Sequence, residues 1–169
     1  MTRSARLQEF QQRLTQRLRG AASAGSASLR IALQAGPGRW LLKLDDAGEI
    51  QPLPELSSVP LTRAWFLGLA NIRGTLAAVI DFGAFAGGEQ TARTPECRLV
   101  LLAERFGAHC GLLVSRISGL RNLDQLLALE DRDERPWAGA RYRDGDGCIW
   151  SELNAGALVA HDDFLRVGL

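Results

Sequence analysis

Trp65-Phe66-Leu67-Gly68-Leu69-Ala70-Asn71-Ile72-Arg73-Gly74-Thr75-Leu76-Ala77-Ala78-Val79-Ile80-Asp81-Phe82 consists of two apolar runs joined by one short polar break. Trp65 to Ala70 and Thr75 to Phe82 have the length and apolar content of strands. The glycine-bearing Asn71-Ile72-Arg73-Gly74 between them predicts a hairpin. Asp81 stands alone among Val79, Ile80 and Phe82. With no second carboxylate or histidine nearby in sequence, its oxygens are expected to accept backbone N–H bonds and fix the next turn.

Outward from this hairpin the pattern repeats. Leu29, Ile31 and Leu33 alternate with Arg30, Ala32 and Gln34, as in a half-buried strand. Gly36-Pro37-Gly38 marks a turn, and Arg39 to Leu44 supplies the returning strand. Asp45-Asp46 marks a break, and Pro52, Pro54 and Pro60 exclude a long helix or central strand from the next stretch. Beyond it, Gly87 to Pro95 reads as a surface connection, followed by strands at Arg98 to Ala103 and Cys110 to Ile117. Asp124 to Glu134 combines a helix-like apolar start with a solvated acidic run. Asp144-Gly145-Asp146-Gly147, between Arg141–Arg143 and Cys148–Leu153, is the clearest hairpin turn in the chain. Residues 156–167 are expected to close as a short helix. Many short strands with few helices predict a mainly β fold of barrel type.

The first 19 residues differ in kind. Leu7, Phe10, Leu14 and Leu18 recur at helical spacing, and residues 4–19 read as an amphipathic basic helix, followed by a small-residue linker over 20–28. The domain proper is then 29–169. Residues 1–30 hold six arginines against one glutamate, while the remainder holds 14 basic and 18 acidic side chains. The body is therefore mildly acidic, which argues against a nucleic-acid-binding barrel, since such a site needs a basic stripe on the folded surface. No apolar run approaches the ~20 residues of a membrane span, and no signal peptide is evident. Cys97, Cys110 and Cys148 are odd in number and widely spaced, so they are expected as reduced thiols of a cytoplasmic protein.

Catalytic apparatus is not legible. His109 and His161 have no ligating spacing, and no HExxH, GxSxG or phosphate-loop motif occurs. The Asp144–Gly147 stretch fails as a calcium loop, because positions six and twelve are Ile149 and Ala155. No cofactor and no metal are expected, and the protein is not expected to be an enzyme.

The stretch Val59 to Phe82, with Gly68, the Asn71-x-Arg73-Gly74 motif and the Val79-Ile80-Asp81-Phe82 ending, closely resembles the central signature of CheW-like coupling proteins. Glu49-Ile50 matches that family's Glu-Ile dipeptide. Cys97–Leu102 with Cys110–Val114 resembles its next strand pair, and Asp146–Leu153 its terminal hairpin strand. The resemblance spans roughly residues 28–165. The basic amino-terminal helix and the wording around Val59–Gly74 are most similar to the PilI branch, which serves the pathway controlling type IV pili and twitching motility. Ala78 replaces a frequent proline and Ser115 a frequent aspartate, departures that bear on receptor preference more than on fold.

The resemblance implies two linked five-stranded, SH3-like β-barrels sharing a hydrophobic interface. It also implies a non-catalytic adaptor, at membrane-anchored receptor arrays, that binds the cytoplasmic tip of a chemoreceptor (a methyl-accepting protein) and a CheA-type histidine kinase. Its implied binding positions are Glu49, Gly68, Asn71 and Arg73, and a flagellar chemotaxis coupler is the neighbouring alternative. Independently of family, Arg73 at a hairpin tip offers a solvated fork of donors to a partner carboxylate or carbonyl.

Overall fold

The computed structural model describes residues 27–169; the helix expected over 4–19 and most of the linker lie outside them. The described chain is mainly β. Its strands are β1 (Leu29–Ala35), β2 (Gly38–Lys43), β3 (Ala47–Gln51), β4 (Phe66–Ile72), β5 (Thr75–Asp81) and β6 (Arg98–Leu102). These are followed by β7 (Cys110–Val114), β8 (Arg116–Asn122), β9 (Leu127–Arg132), β10 (Ala138–Arg143) and β11 (Ile149–Leu153). Three short helices accompany them, α1 (Phe82–Phe85), α2 (Ala155–Val159) and α3 (Asp162–Leu165).

The strands form two sheets, one of six in the order β8-β1-β2-β11-β10-β9 and one of five in the order β3-β6-β7-β5-β4. All neighbours are antiparallel except β2 with β11 and β5 with β7. The two-sheet, mainly β architecture agrees with expectation, with six strands in one sheet where five were expected.

The largest core cluster draws from both sheets. Ile31, Leu33, Trp40 and Leu42 come from the six-stranded sheet, and Ile80, Val100, Leu112 and Val114 from the five-stranded one. Phe82, Trp137, Leu158 and Phe164 fill the space between them. Each such side chain removed from water contributes about 1.5–3 kcal/mol. Smaller clusters cover the opposite faces: Ala32, Leu41 and Trp150 on one sheet, Ala70, Val79 and Leu99 on the other. β1 is consequently buried on both faces, where its alternation predicted one. Arg30 is admitted to this interior because its Nε donates to Glu152 at 3.0 Å and its Nη1 to the Ala27 carbonyl at 2.8 Å.

Three further readings change. The run Cys110–Ile117 is two strands, broken where Ser115 donates both its N–H and its hydroxyl to the Gln34 carbonyl (2.8 and 2.7 Å). That corner passes the chain from the five-stranded sheet to the six-stranded one. Asp124–Glu134 is not helix-like beyond a single 3-10 turn at Leu123–Gln125; it continues as edge strand β9, paired to β10. A charged edge strand protects an open sheet margin, so the acidic run suits that place. The terminal helix is two short helices, separated at Ala160 and His161.

Asp81 behaves as expected. It is 1% exposed, caps α1 by accepting from the Ala84 N–H at 3.2 Å, and also accepts the Thr91 N–H and hydroxyl, each at 2.7 Å.

Candidate functional site

β4 and β5 are joined by a two-residue turn, with Ile72 opposite Thr75. Arg73 and Gly74 both have positive φ, 51° and 86°. That is the geometry of the tight hairpin turn whose twist matches the strands, for which Asn-Gly is the preferred pair. An arginine there carries the left-handed penalty of about 1 kcal/mol that glycine escapes. Among the described residues only Leu61 and Arg73 are non-glycine residues with positive φ. Asn71 braces the turn, its Oδ1 accepting from the Gly74 N–H at 2.8 Å.

The strained backbone holds the Arg73 side chain in water, 81% exposed. Its Nη2 lies 3.2 Å from Oε1 of Glu49 on β3, whose side chain is 34% exposed. β3 and β4 are the two margins of the five-stranded sheet, so this ion pair joins elements that the hydrogen-bond order places furthest apart. Exposed pairs contribute little to stability, typically under 1 kcal/mol. The pair instead orients a guanidinium whose remaining donors face water.

Beside it lies an open groove of about 510 Å³, lined by Glu49, Arg73, Leu101, Glu104 and His109 among others. Cys110 borders the same groove, but burial pushes its thiol up to about 12, far from a reactive thiolate.

The four residues singled out by sequence therefore divide. Glu49 and Arg73 meet, and Asn71 shapes the turn that presents Arg73. Gly68 stands apart, towards the other end of β4, at a register shift opposite β5. Its φ is 132°, and a Cβ there would stand 2.3 Å from the Ser57 carbonyl oxygen. Ser57 and Leu69 exchange two main-chain bonds of 2.8 and 2.9 Å. Glycine lets the 52–60 segment lie against β4, and backbone demand accounts for it. Sequence reasoning did not single out Glu104 and set His109 aside for want of a ligating spacing, because nothing local in the sequence brings either to the groove beside the hairpin tip. His161 is accounted for as the cap of α3, its Nδ1 accepting from the Asp163 N–H at 3.3 Å.

Among the described residues no group of three or more His, Cys, Asp or Glu could hold a metal ion. No described helix is long and apolar enough to cross a membrane.

Comparison with known proteins agrees with this architecture. Residues 31–163 match the family model described as CheW-like domain. Protein PilI of Pseudomonas aeruginosa is 26% identical over 145 residues, covering 82% of this chain and 79% of that protein. Chemotaxis protein CheW of Rhizobium meliloti is 28% identical over 107 residues, covering 63% of this chain and 64% of that protein. The crystal structure of the scaffolding protein TtCheW from Thermoanaerobacter tengcongensis superposes with a TM-score of 0.63 at 14% identity, covering 75% of this chain and 88% of that one.

Proposed function

Because this chain belongs to the CheW-like domain family, we propose that it is a non-catalytic adaptor that couples a chemoreceptor to a CheA-type histidine kinase. The pathway we assign is the one controlling type IV pili and twitching motility, on the similarity to PilI. The observation that carries the reading is Arg73: a charged side chain kept in a left-handed turn, where asparagine or glycine would be more stable, and steered by Glu49. Backbone strain retained at an exposed residue points to a role outside the fold.

In this reading the Glu49–Arg73 face meets the helical tip of the receptor. Arg73 donates to carboxylates or carbonyls at the rim, and the adjoining groove takes apolar side chains. Each contact is modest, and the repeated geometry of an array multiplies it. The kinase occupies a separate surface of the same chain, and the complex sits beneath membrane-anchored receptors in the cytoplasm.

The test is a pull-down with a receptor cytoplasmic tip and a CheA-type kinase, both of which should be retained. Arg73→Ala should reduce receptor retention about tenfold, the worth of one good charged contact at ~1.4 kcal/mol, and leave the urea unfolding midpoint within error. Retention of neither partner refutes the adaptor reading. A core-sized loss of stability in Arg73→Ala would give Arg73 a structural role instead.

A further inference from the structure

Where the β1–β2 turn approaches α1, a cavity of about 250 Å³ is lined by Pro37, Gly38, Trp40, Gly83, Ala86 and Arg135, with Ala35 behind them. Trp40 is 1% exposed, yet its indole Nε1–H meets no acceptor among the described residues. Gly38 keeps the adjacent space open, since a Cβ there would stand 2.5 Å from Nε1. Gly38 lies in β2 without the positive φ that would demand glycine. Room beside the indole, and not backbone conformation, accounts for this glycine.

Arg135 lies over the same indole. Its Cζ is 4.7 Å from the Trp40 ring and 5.2 Å from the Trp137 ring. Nε and Nη2 grip the Asp133 carboxylate at 2.7 and 2.6 Å, and Nη1 donates to the Ala86 carbonyl at 3.2 Å. A guanidinium carries five N–H donors, so two are left over. An open pocket of about 470 Å³ shares Pro37, Gly38, Trp40 and Arg135, and its charged lining adds Arg39 and Arg141 together with Asp133 and Asp146. Asp133 already engages Arg135, so the groups beside the indole still in need of an acceptor are the Trp40 Nε1–H and the two spare Arg135 N–H groups. An acceptor oxygen satisfies them, and arginines outnumber carboxylates three to two in that lining. At ~30 Å³ per water the cavity has the volume of about eight waters, which suits a short aliphatic chain.

We propose that this cavity is a binding site for a short carboxylate, one oxygen accepting the Trp40 Nε1–H and the charge facing Arg135. The carboxylate belongs either to a free small acid or to the acidic side chain of a protein partner. The site is separate from the Glu49–Arg73 face, and its failure would leave the adaptor reading untouched.

The full chain, ¹⁵N-labelled, provides the test through the Trp40 indole N–H resonance, assigned by its through-space contacts to Phe82 and Trp137. Sodium propionate should shift it downfield saturably, propionamide at least tenfold more weakly, and sodium chloride at equal ionic strength not at all. Gly38→Ala should abolish the response. Arg135→Gln, at a side chain 39% exposed, should erase the preference for propionate and carries the test if Gly38→Ala does not fold. Tighter binding of N-acetylglutamate α-amide than of propionate assigns the carboxylate to a partner side chain, and weaker binding assigns it to a free acid. The proposal is overturned if no saturable shift occurs, if chloride or propionamide acts equally, or if a bound-water contact to the indole N–H persists unchanged through the titration.

Discussion

The two best-defined hairpin tips of this molecule are built on opposite principles. At the β10–β11 tip, Asp144 satisfies nearly everything around it: Oδ1 accepts the Asp146 and Cys148 N–H groups at 3.0 and 2.9 Å, and Oδ2 accepts the buried Trp150 indole N–H at 2.8 Å. Its left-handed position is filled by Gly147, with φ of 82°. At the β4–β5 tip, one of the two left-handed positions is an arginine, and its side chain reaches out to water and to Glu49. One turn is optimised for its own stability. The other gives up about 1 kcal/mol of backbone energy and leaves a cation in water, as the receptor-binding role proposed for Arg73 requires.

The largest expected effect falls on the self-satisfied turn. Asp144→Ala removes three accepted bonds and orphans a buried indole N–H, so stability should drop by about 2 kcal/mol in urea titration. A loss under 0.5 kcal/mol would break the contrast. Next, Gly74→Ala and Gly147→Ala should each cost about 1 kcal/mol. Both have positive φ and nothing within 4 Å of the added Cβ, so backbone strain alone acts and the two values should match.

Arg73→Asn sharpens the comparison from the other side. It creates the preferred Asn-Gly turn and should raise stability by about 0.5–1 kcal/mol, since asparagine tolerates the left-handed region. Receptor retention should nevertheless fall. Any substitution at Arg73 that improved both would remove the argument for a functional arginine.

The smallest effect concerns pH. The Trp150 indole bond, with the Cys148 and Asp146 N–H groups, holds the Asp144 carboxyl below its ordinary 3.8. A lowered carboxylate pKa contributes stability above the unfolded value, and that contribution is lost as pH falls through the folded value. Part of the gap between the parent protein and Asp144→Ala should therefore hold at pH 6 and close progressively below pH 3.8, followed by urea midpoints. Asp133 titrates with the same sign, its carboxyl lowered chiefly by the Arg135 side-chain hydrogen bond.

Local pattern carried much of this reading. Hairpins with a glycine turn were legible at 29–44, 65–82 and 141–153 because strand alternation and turn chemistry are properties of adjacent residues. Asp81 was legible for the same reason, as its donors at Ala84 and Thr91 lie close in the chain. The acidic strand β9 was not, because a charged edge strand has no apolar period to betray it, and only pairing with β10 defines it. Likewise, Ser115 bends the chain only because Gln34 stands across from it, 81 residues away in sequence.

By itself the sequence determined the mainly β class, the positions of the tight turns, and the Asn71-x-Arg73-Gly74 stretch that leads to the family. Tertiary structure alone decided that Glu49 meets Arg73 across 24 residues and that Gly68 answers to the Ser57 carbonyl. It alone placed Trp40 and Arg135 on one cavity. Turn geometry depends on neighbours along the chain, whereas ion pairs, close backbone approaches and cavities depend on which strands the sheets bring side by side.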